Sequence, residues 1–183
     1  VTITDAMGCK DTVMQSIITN PLPTAGITSS ETSGTTNNDN TICTGASVNL
    51  TATGGGTYVW EDNSTNADRT VSPVSTTTYT VTVTNANGCT DTESVTITVN
   101  PLPVMTCPSN TSVCIDGAVI TLAGATPSGG TYSGAGVSAG VFTPSTAGVG
   151  THTITYTATD VNGCSNTCTF SITVNGLPAM TCP

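Results

Sequence analysis

Cysteine is the residue of this chain with the clearest capacity for chemistry. The chain has 183 residues, of which eight are cysteines and only 7% are charged. In small Thr-, Gly- and Asn-rich modules, cysteines at this density are typical of disulfide bonds formed in an oxidising compartment. The sequence therefore predicts cross-linked modules and an extracellular location. The cysteines are Cys9, Cys43, Cys89, Cys107, Cys114, Cys164, Cys168 and Cys182.

The same side chains fit metal or catalytic chemistry poorly. No Cys-x-x-Cys occurs, and no second pair matches Cys164 and Cys168, so a thiolate metal site is not expected. His152 is the only histidine, and it has no partner base or nucleophile in the sequence around it with which to build a triad. Glu61 and Asp62 are adjacent, so on a strand they point to opposite faces and cannot act together in hydrolysis. We predict no enzyme activity.

Acidic residues raise the question of a calcium site. A calcium ion needs several oxygens that converge on one point. The sequence has no Asp-x-Asp-x-Asp segment or other compact acidic loop, so no cofactor is predicted, with calcium between modules as the alternative. The aspartates near turns and module ends are Asp5, Asp11, Asp91, Asp116 and Asp160.

A repeated phrase divides the chain into modules. The residues from Val81 to Asn87-Gly88-Cys89 have counterparts that end at Cys9 and Cys164, which lie 80 residues before and 75 residues after Cys89. A fixed period of this size is typical of an array of similar domains. A second marker is Asn-Pro-Leu-Pro, which begins at Asn20 and Asn100 and recurs as Asn-Gly-Leu-Pro at Asn175. Its prolines favour short, stiff junctions.

These markers predict two complete modules and parts of two others. A complete module of this size buries only about 60% of its unfolded surface, so cross-links should contribute much of its stability. We expect residues 1–20 to be the C-terminal hairpin of a truncated preceding module, residues 21–100 and 101–175 to be complete modules, and residues 176–183 to begin a following module.

Alternation of threonine with apolar residues predicts an all-β chain. Tyr79, Val81 and Val83 face one way and threonines face the other, as expected for antiparallel strands with one buried face. Asn-Gly supplies the positive φ angles of a tight turn, which predicts final hairpins of 78–85 with 92–99 and of 151–159 with 167–174. About seven short strands per module predict tandem immunoglobulin-like β-sandwiches. The aromatic residues expected in their cores are Trp60, Tyr79 and Tyr156.

Composition excludes two classes of partner. The chain has 2 basic and 11 acidic residues, for a net charge of −9, and it has no basic patch for nucleic acid or anionic membrane surfaces. No apolar run approaches the roughly 20 residues that span a bilayer, so no membrane insertion is expected. The polar segment 30–41 has the composition of an inserted surface loop, with a ligand-binding loop as the alternative.

Three segments of the first complete module carry a resemblance to known repeats. They are Cys43-Thr44-Gly45, Tyr58-Val59-Trp60, and the Thr-rich run that leads to Asn87-Gly88-Cys89. This pattern resembles the immunoglobulin-like and PKD-like repeats of giant surface proteins from gliding bacteria with type IX secretion. Asp11-Thr12-Val13 is also similar to the O-glycosylation site of such bacteria.

The second complete module resembles another repeat. It opens with Cys107-Pro108 and closes with Cys168-Thr169-Phe170, after a run from Thr155 to Asp160. This pattern is similar to the hyalin repeat (HYR), also an immunoglobulin-like sandwich. That resemblance implies a Cys107–Cys168 disulfide.

The remaining cysteines leave two arrangements open. Each complete module has one cysteine before an early strand and one in its final hairpin turn, so the simplest pairs are Cys43–Cys89 and Cys114–Cys164, with Trp60 beside the first. In an immunoglobulin topology those two places lie at opposite ends, whereas bridged Cα atoms lie within about 7 Å. The alternative is a Cys43–Cys164 bridge between modules. Cys9 and Cys182 are expected to lack partners because their modules are truncated.

These features predict a structural role. We expect a repeat segment of a long extracellular filament or stalk-like adhesin, with a carbohydrate-binding module or the spacer of a secreted enzyme as alternatives. Its expected partners are neighbouring modules of the same chain, with lateral contacts between like chains. Strand addition by residues 1–20 is a further option, because an isolated hairpin exposes Ile3, Val13 and Ile17.

Overall fold

The computed structural model describes residues 1–180. The fold is all-β, with 46% strand and 2% helix, as predicted for tandem β-sandwich modules. The chain divides into two compact units. One contains residues 1–28, 51–67 and 80–94, and the other contains residues 29–50, 68–79 and the described chain from 95 onward. The predicted boundaries at residues 20, 100 and 175 stay a prediction.

The N-terminal residues form a two-stranded antiparallel hairpin. Its strands are β1 (Thr2–Thr4) and β2 (Lys10–Thr12), with Ile3 opposite Asp11. Every residue of both strands is exposed, and so are Val13 and Ile17.

Residues 21–100, here called the first module, form seven strands. In β8, threonines alternate with Tyr79, Val81 and Val83, and these three side chains are buried. The strand orders of the two sheets are β3-β5-β7 and β4-β9-β8-β6. The strands are β3 (Gly26–Ser30), β4 (Thr41–Cys43), β5 (Val48–Thr53), β6 (Thr57–Trp60), β7 (Asp68–Val71), β8 (Thr77–Thr84) and β9 (Thr90–Asn100).

Residues 101–175, here called the second module, repeat this plan. The strand orders are β10-β16-β15-β12 and β11-β14-β13. One cluster of its buried core consists of Leu122, Phe142, Ile154, Phe170, Ile172 and Val174, and a smaller one consists of Ala125, Tyr156 and Ala158. The elements are β10 (Thr111–Cys114), β11 (Ile120–Thr121), β12 (Thr131–Ser133), β13 (Val137–Ser138), β14 (Val141–Phe142), α1 (Pro144–Ala147), β15 (Gly150–Thr159) and β16 (Ser165–Asn175).

A short strand of each module pairs in parallel with the final strand. β4 runs parallel to β9 with Cys43 opposite Asn100, and β10 runs parallel to β16 with Cys114 opposite Asn175. Each short strand thus ends level with the last residue of the final hairpin. This register places both cysteines at the C-terminal end of their modules.

Candidate functional site at the module junction

A disulfide bond joins the first module to the second. Cys43 and Cys164 are bonded with their Cα atoms 5.5 Å apart and 121 residues apart in sequence. Cys164 is fully buried and Cys43 is 9% exposed. The disulfide is therefore buried rather than exposed to solvent.

Strand pairing positions Cys43. After the parallel ladder that ends at Cys43 and Asn100, the backbone N–H and the Oγ1 of Thr44 both donate to the Asn100 carbonyl, at 2.9 and 3.1 Å. Asn100 is the residue before Pro101, where the second module begins. The cysteine is thus held at the point where the chain leaves its module.

A side-chain cap positions Cys164 in the tight turn between β15 and β16. Asp160 Oδ1 accepts hydrogen bonds from the backbone N–H groups of Asn162 and Cys164, both at 2.9 Å. Gly163 adopts a φ of 76°, as the Asn-Gly pair predicts. An aspartate that accepts from backbone groups two and four residues ahead stabilises a turn independently of packing.

The polar insertion forms a loop around a buried carboxylate. Glu31 is only 3% exposed, and its two carboxylate oxygens accept from the backbone N–H groups of Ser33 at 2.7 Å and Asp39 at 3.1 Å. Asn38 Oδ1 in turn accepts from the Glu31 N–H at 3.1 Å. These bonds satisfy the carboxylate and close the segment between β3 and β4.

This loop lies directly against the turn of the second module. A Cβ built on Gly163 would come within 2.6 Å of the Gly34 carbonyl carbon and 2.7 Å of the Thr35 nitrogen. Ser33 Oγ also accepts from the Cys43 N–H at 2.8 Å, so the loop contacts both ends of the bridge region. The loop, the bridge and the turn together constitute the junction site. The composition of residues 30–41 gave no sign of this role.

A side chain two residues beyond each turn cysteine holds the chain that enters the module. Asn166 Nδ2 donates to the Pro103 carbonyl at 2.9 Å in the second module. Asp91 Oδ2 accepts from the Ala25 N–H at 3.0 Å in the first. The proline junctions are therefore held by hydrogen bonds in both modules.

A second disulfide lies within the second module. Cys107 and Cys168 are bonded with Cα atoms 5.8 Å apart, as the hyalin resemblance implies. Cys107 packs against the module core, and Cys168 faces Tyr156 across the β15–β16 ladder. This bond fixes the entering segment onto the final hairpin.

The structure corrects two of the predicted pairs. Cys43–Cys89 and Cys114–Cys164 do not form, because each would join opposite ends of a long strand. Cys114 is level with Asn175, and eleven residues of β16 separate Asn175 from Cys164, on the order of 35 Å. The same spacing along β9 separates Asn100 from Cys89. The Cys43–Cys164 bond between modules, which the sequence left as the alternative, forms instead of these two pairs.

The other cysteines of the described chain are thiols. Cys9 and Cys114 are exposed and Cys89 is half-buried, with its sulfur 4.0 Å from the Asn20 carbonyl oxygen. Cys182, which was expected to be unpaired, lies outside the described residues.

The aromatic residues expected in the cores are buried. Trp60 is 2% exposed and its Nε1 donates to the Asn66 carbonyl at 2.8 Å. Tyr79 is also buried. The Tyr156 hydroxyl donates to the Pro127 carbonyl and accepts from the Gly130 N–H, both at 2.7 Å. The Cys43–Cys89 bridge beside which Trp60 was expected is not formed.

The remaining candidate residues make local contacts. His152 Nε2 lies 2.9 Å from the Gly148 carbonyl oxygen. Glu61 Oε2 accepts from the Thr80 N–H, and Asp62 Oδ1 accepts from the backbone and hydroxyl of Ser64. Across residues 1–180, no three His, Cys, Asp or Glu side chains are grouped to hold a metal ion. In the same span, no helix is long and apolar enough to cross a bilayer.

One part of the chain matches a known domain family. Residues 100–174 match the family model of the HYR domain, which confirms the resemblance of the second module to the hyalin repeat. No sequence among the curated proteins matches the chain.

A solved structure with 18% sequence identity and a TM-score of 0.43 is described as "Ca2+-stabilized adhesin helps an Antarctic bacterium reach out and bind ice". The match covers 97% of this chain and 56% of that one, so the present chain spans about half the length of that structure's chain.

Proposed function

We propose that this chain is a load-bearing repeat segment of a long extracellular surface protein, a stalk-like or filamentous adhesin. The observation that carries the proposal is the Cys43–Cys164 bond, which joins consecutive modules covalently. Tension applied along the chain passes through this bond and bypasses the residues between the two cysteines. A bridge in this position limits extension even when a module opens.

The setting of the bond supports an extracellular location. Disulfides persist in oxidising environments and are rare in the cytosol. The HYR match and the low charge, with only 7% charged residues, fit a non-enzymatic surface repeat. From the resemblance of the first module, the source proposed is a type IX-secreted adhesin that serves attachment or gliding. Its partners are neighbouring modules, with lateral contacts between like chains and strand addition by the exposed β1–β2 hairpin.

Single-molecule stretching of the full chain from its two ends tests the load-bearing role. The bridge encloses 121 residues, so the oxidised chain should extend roughly 40 nm less than the reduced chain at about 3.5 Å per residue. In the control variant C164S, the difference should fall to roughly 20 nm, because only the 61-residue Cys107–Cys168 loop remains enclosed.

Two results would contradict the proposal. One is full extension of the oxidised chain at low force, which would mean that no bond limits its length. The other is a C164S variant in which the oxidised chain is still roughly 40 nm shorter than the reduced chain. That result would mean that disulfides within the modules, and not the Cys43–Cys164 bond, limit the extension. Selective glycan binding by the chain would instead favour a carbohydrate-binding module.

A further inference from the structure

The cysteine at the C-terminal end of the second module repeats the environment of Cys43. Cys114 faces Asn175 as Cys43 faces Asn100. The next residue, Ile115, donates its N–H to the Asn175 carbonyl at 2.9 Å, as Thr44 does to Asn100. Gly117 N–H then bonds the Cys114 carbonyl at 2.9 Å, as Ala46 bonds that of Cys43 at 3.0 Å. The backbone around Cys114 therefore makes the same hydrogen bonds as the backbone around Cys43.

The turn cysteines form a second equivalent set. In each turn, a capping Asp or Asn accepts from the cysteine N–H and donates its own N–H to the cysteine carbonyl, at distances between 2.9 and 3.0 Å. The glycine before each cysteine has a φ between 76° and 85°. The capping residue and cysteine are Asp5 and Cys9, Asn85 and Cys89, and Asp160 and Cys164.

One strand-end cysteine, Cys43, is bonded to one turn cysteine, Cys164, and this bond joins consecutive modules. We propose that the bond is propagated: Cys114 pairs with the turn cysteine of a further module of this type placed after it, and Cys89 pairs with the strand-end cysteine of a module placed before its own. The partner is therefore another copy of the same modular surface, and the inference deepens the proposed function. The exposed Cys114 continues an interface that the Cys43–Cys164 bond already defines.

The second module reaches its strand-end cysteine by a shorter path. Eleven residues separate Pro103 from Cys114, whereas twenty separate Pro23 from Cys43, and the Glu31 loop accounts for the difference. The loop contacts the turn but contributes no atom to the bond. Pairing at Cys114 thus depends on the strand end and the turn, which are common to both modules.

The chemistry is an oxidation of two thiols. The Cys114 and turn-cysteine sulfurs form one S–S bond and release two protons and two electrons. A small-molecule disulfide such as oxidised glutathione takes them up by exchange, and its own S–S bond breaks to give two thiols. No other reactant is required.

A lengthened chain tests the inference. Residues 1–175 are followed directly by residues 21–183, so that the join recreates Asn-Pro-Leu-Pro and the first module of the second copy follows the second module of the first. Cys114 of the first copy then stands to Cys89 of the second copy as Cys43 stands to Cys164. After refolding in a glutathione redox buffer, denaturation, alkylation and peptide mapping identify the bonded and free cysteines.

The expected result is a peptide linking Cys114 of the first copy to Cys89 of the second, with the loss of two alkylatable thiols. In the matched variant C114S, introduced in the first copy only, Cys89 of the second copy becomes alkylatable again. If both thiols stay free while Cys43–Cys164 forms in each copy, the inference is overturned and the proposed function stands. If Cys43–Cys164 is itself missing, both are overturned.

Discussion

At the scale of single residues, the junction depends on a turn that the sequence itself defines. Asp160 satisfies two backbone N–H groups, one of which belongs to the fully buried Cys164. A buried donor that loses its acceptor costs about 1–3 kcal/mol. The carboxylate thereby holds the backbone of Cys164 in the turn that carries the disulfide.

Substitution of Asp160 tests this role. D160A should lower the free energy of unfolding by about 1–3 kcal/mol, because the Cys164 N–H loses its acceptor. D160N should be nearly neutral, since Asn85 makes the same bonds in the first module. Urea denaturation of the oxidised variants measures the difference. Equal losses in D160A and D160N would contradict the assignment.

At Gly163, the backbone of the turn lies so close to the backbone of the Glu31 loop that a side chain would collide with it. Gly163 and Gly88 have nearly the same φ, 76° and 78°, but a Cβ on Gly88 meets no atom within 4 Å. G88A should therefore cost only the left-handed strain of about 1–2 kcal/mol. G163A should cost more and should reduce the yield of the Cys43–Cys164 bond, because its Cβ collides with Gly34.

Chemical denaturation and thiol counting after refolding compare this matched pair. If G88A and G163A have the same stability and the same bond yield, the loop does not press on the turn as described.

At the scale of elements, the insertion between β3 and β4 is ordered by a charge that it encloses. Both Glu31 oxygens accept backbone hydrogen bonds. The side-chain amide of a glutamine in its place would therefore point its NH2 group, a donor, at one of these backbone N–H groups, which is also a donor. The loop is therefore specified by a carboxylate rather than by apolar packing.

The variant E31Q tests that specification. Amide hydrogen exchange at Ser33 or Asp39 should accelerate, because one of the two N–H groups loses its acceptor. The control D39N alters an exposed side chain that accepts from the Thr41 N–H and not from the groups bound to Glu31, so it should leave the Ser33 amide protected. Protection of both amides in E31Q would contradict this account of the loop.

The final hairpins could be predicted closely from the sequence. Strands expected at 78–85 and 92–99 are observed at Thr77–Thr84 and Thr90–Asn100. Period-two alternation over eight or more residues, closed by Asn-Gly, specifies both strands and their turn. The second module behaves in the same way, with β15 and β16 extending the predicted ranges by a residue or two.

The short parallel strands could not be predicted in this way. β4 has three residues, Thr41–Cys43, and so presents too little alternation to distinguish a strand from a loop. Its paired residues in β9 lie 57 positions further along the sequence, and no local signal fixes that register. Near the start of the second module, pairing is limited to one isolated bridge, Thr106 with Thr126, which also gives no local signal. Because these short strands were not predicted, the cysteine pairing stayed unresolved.

At the scale of the whole molecule, two disulfides restrict the unfolded chain in different ways. The Cys107–Cys168 bond closes a loop of 61 residues within one module, and the Cys43–Cys164 bond closes 121 residues across a junction. The loop-entropy model assigns about 4 and 5 kcal/mol to loops of these lengths. Such contributions are comparable to the 5–15 kcal/mol that is typical of a domain's stability.

Disulfide mapping of the oxidised full chain tests the central claim most directly. Proteolysis without reduction, followed by mass spectrometry, should yield the Cys43 peptide joined to the Cys164 peptide, with Cys89 and Cys114 alkylated as free thiols. Cys43 joined to Cys89, or Cys114 joined to Cys164, would show that each module is closed on itself and would contradict the covalent junction.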